Sequence, residues 1–382
     1  METPPLEGLR LLDLSRLLPG PYCTQIFSSF GVEVIRIEPP EGGDWLREAG
    51  TLDASMGWLF QALNRGKKSL SLNLKSQKGG QIFLQLVETA DVLFETFRPG
   101  VMERLGLGYE DLSLVNQGLI YCSLTGYGSD GAYRMRVGHD LNYIGLTGLL
   151  DLTGHKDGPP IIPATQVADI MGGLWAAVGI LIALQSRRHT GRGMKVDGTL
   201  LGAALASLPV EISRKIGGKP TGRGRGDLSG GVVCYNVYET KDGGYMTLAA
   251  LEPKFWVNFC RTVGKEHLIG SQFAQAVPGD KTYDEMLDLF QSLTKQEWIG
   301  LLSGIEACCE PVEPLEHALV SEPIHSLEML KDKGLYPPIR LSTNPEAIPE
   351  DIPQLGQHTS AILNELGYSD LEIARLRGEG IT

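Results

Sequence analysis

The chain has 382 residues, 42% hydrophobic and 21% charged, with a formal charge of −12. That length exceeds what one hydrophobic core usually fills, so two domains are expected. The acidic balance argues against general nucleic-acid binding and against an anionic membrane surface, while leaving room for a local basic patch that holds a phosphorylated ligand.

The N-terminus, Met1-Glu2-Thr3-Pro4-Pro5, has neither a basic region nor an apolar core, so it does not read as a signal peptide. Residues 9–14 read as a buried strand. Pro19-Gly20-Pro21 ends it and starts a helix over about 22–30, because proline suits a first helical position. Residues 32–38 alternate and are β-branched, and 69–74 alternate again, so both are strands. A helix over 78–90 is followed by strands at 91–95 and 119–124. Strand and helix alternate at crossover spacing, which predicts an α/β fold with a parallel sheet. The first strand–helix turn lacks G-x-G-x-x-G, and no P-loop occurs, so a dinucleotide cofactor is not expected.

Residues 167–188 form the strongest predicted helix, with Asp169 near its start and Gly191 as its stop. The longest apolar run, 174–184, is interrupted by glycine and shorter than a bilayer span, so no membrane segment is expected. A short strand at 194–197 and a helix over 200–208 follow. The glycine-rich stretch 217–226 reads as a linker. Beyond it, strands at 232–238 and 245–250 bracket the turn Lys241-Asp242-Gly243-Gly244, and helices are expected near 255–262, 283–293 and 296–302. The expected domains are therefore 1–216 (large, α/β), 227–340 (small, α+β) and a C-terminal segment, 341–382, with helices near 360–366 and 371–377. The six cysteines show no CxxC and no zinc spacing, which fits a reducing, cytoplasmic setting without a metal.

Gly138-His139-Asp140-Leu141-Asn142-Tyr143 concentrates polar chemistry in six residues. His139 is a natural proton carrier, and equally a candidate for a hydrogen-bonded structural histidine. Asp140 is an alternative base, or a cap for the turn that follows it. Asp169 reads as a helix cap, which is compatible with a catalytic carboxylate. Glu252-Pro253 reads as a helix start with an acidic residue. Arg36, Lys75, Arg98 and Arg104 fall after strands or in neighbouring loops, where open sheets bind ligands.

Several pieces in order carry a family resemblance: Leu12-Asp13-Leu14-Ser15 with Pro19-Gly20-Pro21, Val34-Ile35-Arg36-Ile37-Glu38, Arg65-Gly66-Lys67-Lys68-Ser69-Leu70, Phe97-Arg98-Pro99-Gly100, the G-H-D-x-N-Y motif, Ala168-Asp169, Thr190-Gly191-Arg192-Gly193 and Gly356-Gln357-His358-Thr359. The chain resembles the family III CoA-transferases. His139, with Leu251-Glu252-Pro253-Lys254-Phe255, makes it similar to the racemase branch of that family. The resemblance implies a nucleotide-fold-like large domain, a small domain, and two subunits interlocked like chain links, with the C-terminal helices returning to the large domain. It implies an acyl-CoA substrate, with CoA part of the substrate and no separate cofactor. His139 and Asp169 are then the two groups that exchange the α-proton of a 2-methylacyl-CoA, and Glu252 orients His139. Backbone N–H groups at the start of the Asp169 helix would stabilise the thioester oxygen.

Similarity assigns CoA contacts to Arg36, Leu72, Lys75, Phe97 and Arg104. Arg98 and the motif residues Gly138, Asp140, Asn142 and Tyr143 are expected on the substrate side as well. The racemase pattern of an aspartate before a Gly-Gly pair is replaced by Leu228-Ser229-Gly230-Gly231, which bears on specificity. The alternatives are a CoA-transferase with Asp169 as nucleophile, and an acyl-CoA-binding protein without activity.

Overall fold

The computed structural model describes residues 3–48, 57–331, 334–342 and 351–382. Six strands form one sheet: β1 (Arg10–Asp13), β2 (Glu33–Glu38), β3 (Lys68–Ser71), β4 (Val92–Glu95), β5 (Ile120–Thr125) and β6 (Lys195–Thr199). Their order is β3-β2-β1-β4-β5-β6, and every neighbouring pair is parallel. The mixed α/β fold with a parallel sheet is the one read from the alternating apolar runs. Strands β4 and β5 are buried at every position, as expected when both faces of a parallel sheet are covered. The order reverses between β1 and β4, and a crevice at such a switch point is where open α/β sheets take ligands.

The helix Pro19–Ser29 follows β1, with proline in its first turn. It packs against the long helix Val167–Thr190, which is 24 residues and ends at left-handed Gly191. Close approach requires glycine here: a Cβ on Gly173 would lie 2.6 Å from the Pro19 carbonyl, and one on Gly172 would lie 2.4 Å from the Leu200 side chain. The glycines therefore do not interrupt this helix. By length and composition the whole helix is long and apolar enough to cross a membrane, where the run 174–184 taken alone is not. Its helix-on-helix contact with Pro19–Ser29 explains part of that apolar composition.

The described residues separate into two compact units, one drawn from 1–147, 164–207 and 327–382, the other from 148–163 and 208–326. In the first, the C-terminal segment packs on β3. The Ser69 N–H donates to His358 Nδ1 (3.1 Å) and the Ser71 N–H to Thr359 Oγ1 (3.0 Å), while the Asn73 N–H donates to the Ile381 carbonyl. Ile362, Leu363, Ile373 and Leu376 join the core beneath it.

In the second unit, β7 (Tyr235–Glu239) and β8 (Tyr245–Ala249) form the expected antiparallel hairpin, and β9 (Cys309–Pro311) adds a third strand. Its core is built from Trp256, Phe259, Phe290 and Trp298, with the Phe290 and Trp298 rings 4.7 Å apart. Residues 217–226 are tied down rather than free. Arg223 reaches the Asp151 carboxylate at 2.7 Å and the Gly158 carbonyl, and Arg225 pairs with Asp157 at 2.5 Å. The unit therefore gathers residues 148–163 and starts at Leu208, rather than at 227.

Candidate active site

The G-H-D-x-N-Y motif folds as the start of the short helix Asp140–Leu146. His139 is its extended N-cap, with an exposed side chain. The His139 N–H donates to Asn142 Oδ1 (3.0 Å), and the Asn142 N–H returns to the His139 carbonyl (2.8 Å). The Tyr143 hydroxyl donates to the Gly138 carbonyl at 2.7 Å. A Cβ on Gly138 would sit 2.7 Å from the Tyr127 hydroxyl, so glycine leaves room for the Tyr127 and Tyr143 rings, which meet edge to face 5.2 Å apart. Asn142 and Tyr143 thus spend their polar groups on the backbone either side of His139. They hold the imidazole's attachment point; Asn142 remains exposed and Tyr143 is buried.

Asp140 is buried, and its carboxylate does not cap its own turn. Oδ1 accepts from the N–H groups of Ala168 (2.6 Å) and Asp169 (3.1 Å), which opens the long helix. Two consequences follow. The helix N-cap is Gln166, so Asp169 is a first-turn residue, not the cap. The Ala168 and Asp169 N–H groups at the start of the helix therefore already have a partner. The motif and the long helix are joined by these two bonds, which bring the backbones of His139 and Asp169 to one junction.

Asp169 is partly buried and beside the Asp140 charge. Burial first, and Asp140 second, push its carboxyl up to about 7. No salt-bridge partner offsets them among the described residues. A carboxyl with this ionisation both accepts and donates a proton at neutral pH, which is the property general acid–base work needs. The Tyr143 phenol is pushed up to about 12, first by burial and then by Tyr127, Asp169 and Asp140, so it remains neutral.

Glu252 lies in the second unit. It is the exposed N-cap residue of the helix Pro253–Thr262, and its carboxylate makes no capping bond.

The expected CoA contacts divide. Lys75, Arg98 and Arg104 are exposed at or just beyond the C-terminal ends of β3 and β4, and Phe97 is half-buried there. Arg36 is different. It lies within β2, is 1% exposed, and is surrounded by Asp13 (3.4 Å), Glu38 (3.8 Å) and Asp44. Its guanidinium neutralises buried carboxylates and does not face a ligand, so its expected role is corrected to a structural one. The Leu72 side chain is likewise sealed in the core and offers no surface for CoA.

Arg16 was not singled out from the sequence. It follows β1, is exposed, and its guanidinium lies 5.3 Å from the Phe97 ring centre, while its N–H donates to Thr96 Oγ1 (3.1 Å). It bridges the loops after β1 and β4, the two strands at the switch point. The available signal was its place in the first strand–helix turn.

The model of CoA-transferase family III matches residues 6–359. The human protein named alpha-methylacyl-CoA racemase is 34% identical over 391 residues, covering 98% of this chain and 97% of that one. The human protein named succinyl-CoA:glutarate CoA-transferase is 32% identical over 395 residues, covering 99% and 90%. A crystal structure of a CAIB/BAIF family protein from Brucella suis superposes with a TM-score of 0.82 at 28% identity, covering 96% of this chain and 100% of that one.

Proposed function

Because this chain belongs to CoA-transferase family III, we propose that it is an acyl-CoA racemase that interconverts the two configurations of a 2-methylacyl-CoA thioester. The observation that carries this reading is the near-neutral Asp169 carboxyl, joined through Asp140 to the helix that His139 caps. Racemisation removes a proton from one face of the α-carbon and returns one to the other. In one direction the Asp169 carboxylate takes the α-proton and the His139 imidazolium supplies the new one. In the other direction the roles reverse. The α-carbon anion formed between the two steps is an enolate, with its charge on the thioester oxygen. His139 is exposed and its backbone is clamped on both sides, which suits a group that must meet a ligand in a defined place.

Lys75, Arg98, Arg104 and Arg16 are proposed to meet the phosphates of CoA, with Phe97 beside them. A second copy of the chain is proposed as partner, supplying Glu252 to orient His139. Support comes from the long helix, where Trp175, Val178 and Ile182 are exposed, and from the family resemblance.

A second reading is favoured by the transferase relatives. Asp169 would attack the thioester carbonyl and expel CoA thiolate, giving a mixed anhydride; the thiolate would then attack the aspartyl carbonyl, releasing the acyl carboxylate and leaving an aspartyl-CoA thioester. The test is incubation with one enantiomer of a 2-methylacyl-CoA, followed by chiral separation. Appearance of the other enantiomer without any added acid supports racemisation. An unchanged enantiomer, with CoA passing to an added carboxylic acid and a hydroxylamine-sensitive adduct on Asp169, assigns transfer instead.

A further inference from the structure

Among the described residues the six-stranded sheet ends at β3, and the motif Gly356-Gln357-His358-Thr359 packs along that edge without any part in the α-proton chemistry. An edge strand presents backbone groups that no further strand pairs. Here side chains do the pairing. The Ser69 N–H donates to His358 Nδ1 (3.1 Å), and the His358 N–H returns to the Ser69 carbonyl (2.9 Å). The Ser71 N–H donates to Thr359 Oγ1 (3.0 Å). The Gly356 N–H donates to Ser69 Oγ (2.9 Å), whose own proton goes to Glu38 Oε2 on β2 (2.9 Å). An imidazole and a threonine hydroxyl thus stand where a seventh strand would.

The two side chains differ in one respect. The threonine hydroxyl does not titrate, while the imidazole does. A ring nitrogen that accepts from a backbone N–H holds a lone pair, so the neutral ring carries its proton on Nε2. Proton uptake puts a second N–H against the Ser69 N–H and removes the bond. His358 is also the N-cap residue of the helix Thr359–Glu365, whose positive end disfavours an imidazolium. The charged groups around it come from three directions. Lys68, on β3, pairs with Glu33. Asp351 lies on the imidazole's own segment, and its carbonyl accepts from the Gly66 N–H (2.8 Å). Glu38 stands behind Ser69, held by Arg47, which also donates to the Pro353 carbonyl (3.0 Å). Burial first, and Lys68 second, hold the imidazole below its ordinary value, and Asp351 opposes them.

We propose that His358 is an acid-sensitive latch on the sheet edge: taking up a proton breaks its bond to Ser69 and opens the edge between β3 and residues 356–359. The opening is local. The bonds from Gly66 to the Asp351 carbonyl and from Asn73 to the Ile381 carbonyl involve no titrating group, and Ile362 and Leu363 remain in the core. Opening leaves the Ser69 and Ser71 N–H groups unpaired, and an unpaired edge is a template for another chain. The latched state holds fewer protons on His358 than the open one. The latch is therefore at full strength above the ordinary histidine value of 6.5, and it is lost as pH falls through the latched ionisation. The inference stands on the edge geometry and does not depend on racemisation.

Hydrogen exchange of the full chain from pH 5 to pH 8, read by mass spectrometry in peptides spanning Ser69 and Ser71 and corrected for the intrinsic rate, tests it. Protection in the wild type should fall by up to about tenfold for each pH unit below 6.5, until the latched ring is itself protonated. His358→Asn offers an amide oxygen in place of Nδ1 and does not titrate, so its protection should be level over the same range. Should that variant not fold, the 15N spectrum of the wild-type imidazole decides: the Nε2–H tautomer is expected at pH 8, with titration below the ordinary histidine value. Level protection in the wild type overturns the proposal. So does an equal fall in folded His358→Asn, or an Nδ1–H tautomer at pH 8.

Discussion

Among the regions of the first unit that bury carboxylates, two do it in opposite ways. Around β1 and β2, Asp13, Glu38 and Asp44 are matched by Arg36, Arg47 and Lys67. Arg47 grips Glu38 through two nitrogens, at 2.8 and 2.6 Å, and lies 4.0 Å from the centre of the Phe60 ring. Lys67 donates to the Pro21 carbonyl, Thr24 and Asn64 at 2.8–3.0 Å. Burial raises Asp13, but Lys67 and Arg36 outweigh it and hold the carboxyl below its usual range. At the junction of the motif and the long helix, Asp140 and Asp169 lie together, with backbone N–H groups on Asp140 and, among the described residues, no cation paired with Asp169. The result is a carboxyl near 7. Balanced charge makes a scaffold, while unbalanced charge makes a group that trades protons.

This contrast can be broken by substitution. The largest effect is expected from His139→Ala, which should cost about 10²–10⁴ in α-proton exchange, the usual weight of a general acid–base group. Its melting curve should not move, because the ring is exposed and the capping bond uses the backbone N–H. Arg36→Met should instead cost about 3–5 kcal/mol of stability in denaturant titration, the usual result of orphaning buried charges. Were Arg36 a CoA contact, affinity would fall and stability would not.

Asp169→Asn should stabilise the protein at pH 8. The folded carboxyl ionises near 7 and the unfolded one near the ordinary value of 3.8. The folded state therefore holds more protons between those values, and stability falls as pH rises through that window. The gain should be on the order of 1–3 kcal/mol after discounting for partial exposure, and should vanish below pH about 4. Unequal denaturation midpoints at low pH, or none at high pH, would contradict the assignment. The smallest effect is expected from Asp140→Asn, whose oxygen still accepts from Ala168 and Asp169. Removing only the charge should lower the Asp169 ionisation, read as a shift of the exchange profile toward lower pH.

The strands of the large sheet were legible as short apolar runs at crossover spacing, alternating at β2 and β3 and continuous at β1, β4 and β5. β9 was not, since Cys309-Glu310-Pro311 is too short to show a period. The unit boundary was hidden in pairings such as Arg223 with Asp151, 72 residues apart. The site was legible as composition and not as geometry. His139 and Asp169 stand out by type, but that Asp140 occupies the first N–H groups of the long helix is a contact 28 residues away. Arg36 misled because a cation inside an alternating strand looks the same whether it faces a ligand or three buried carboxylates. Lys75 and Arg104, by contrast, lie in exposed positions beyond strand ends, as their place in the sequence indicated.

The most direct measurement is mass spectrometry of a 2-methylacyl-CoA incubated with the protein in D2O, with no acceptor acid present. If Asp169 and His139 exchange the proton between them, one deuterium enters at the α-carbon and the thioester stays intact. An α-carbon that stays unlabelled, with a preparation that moves CoA onto a carboxylic acid supplied in a separate assay, would contradict it.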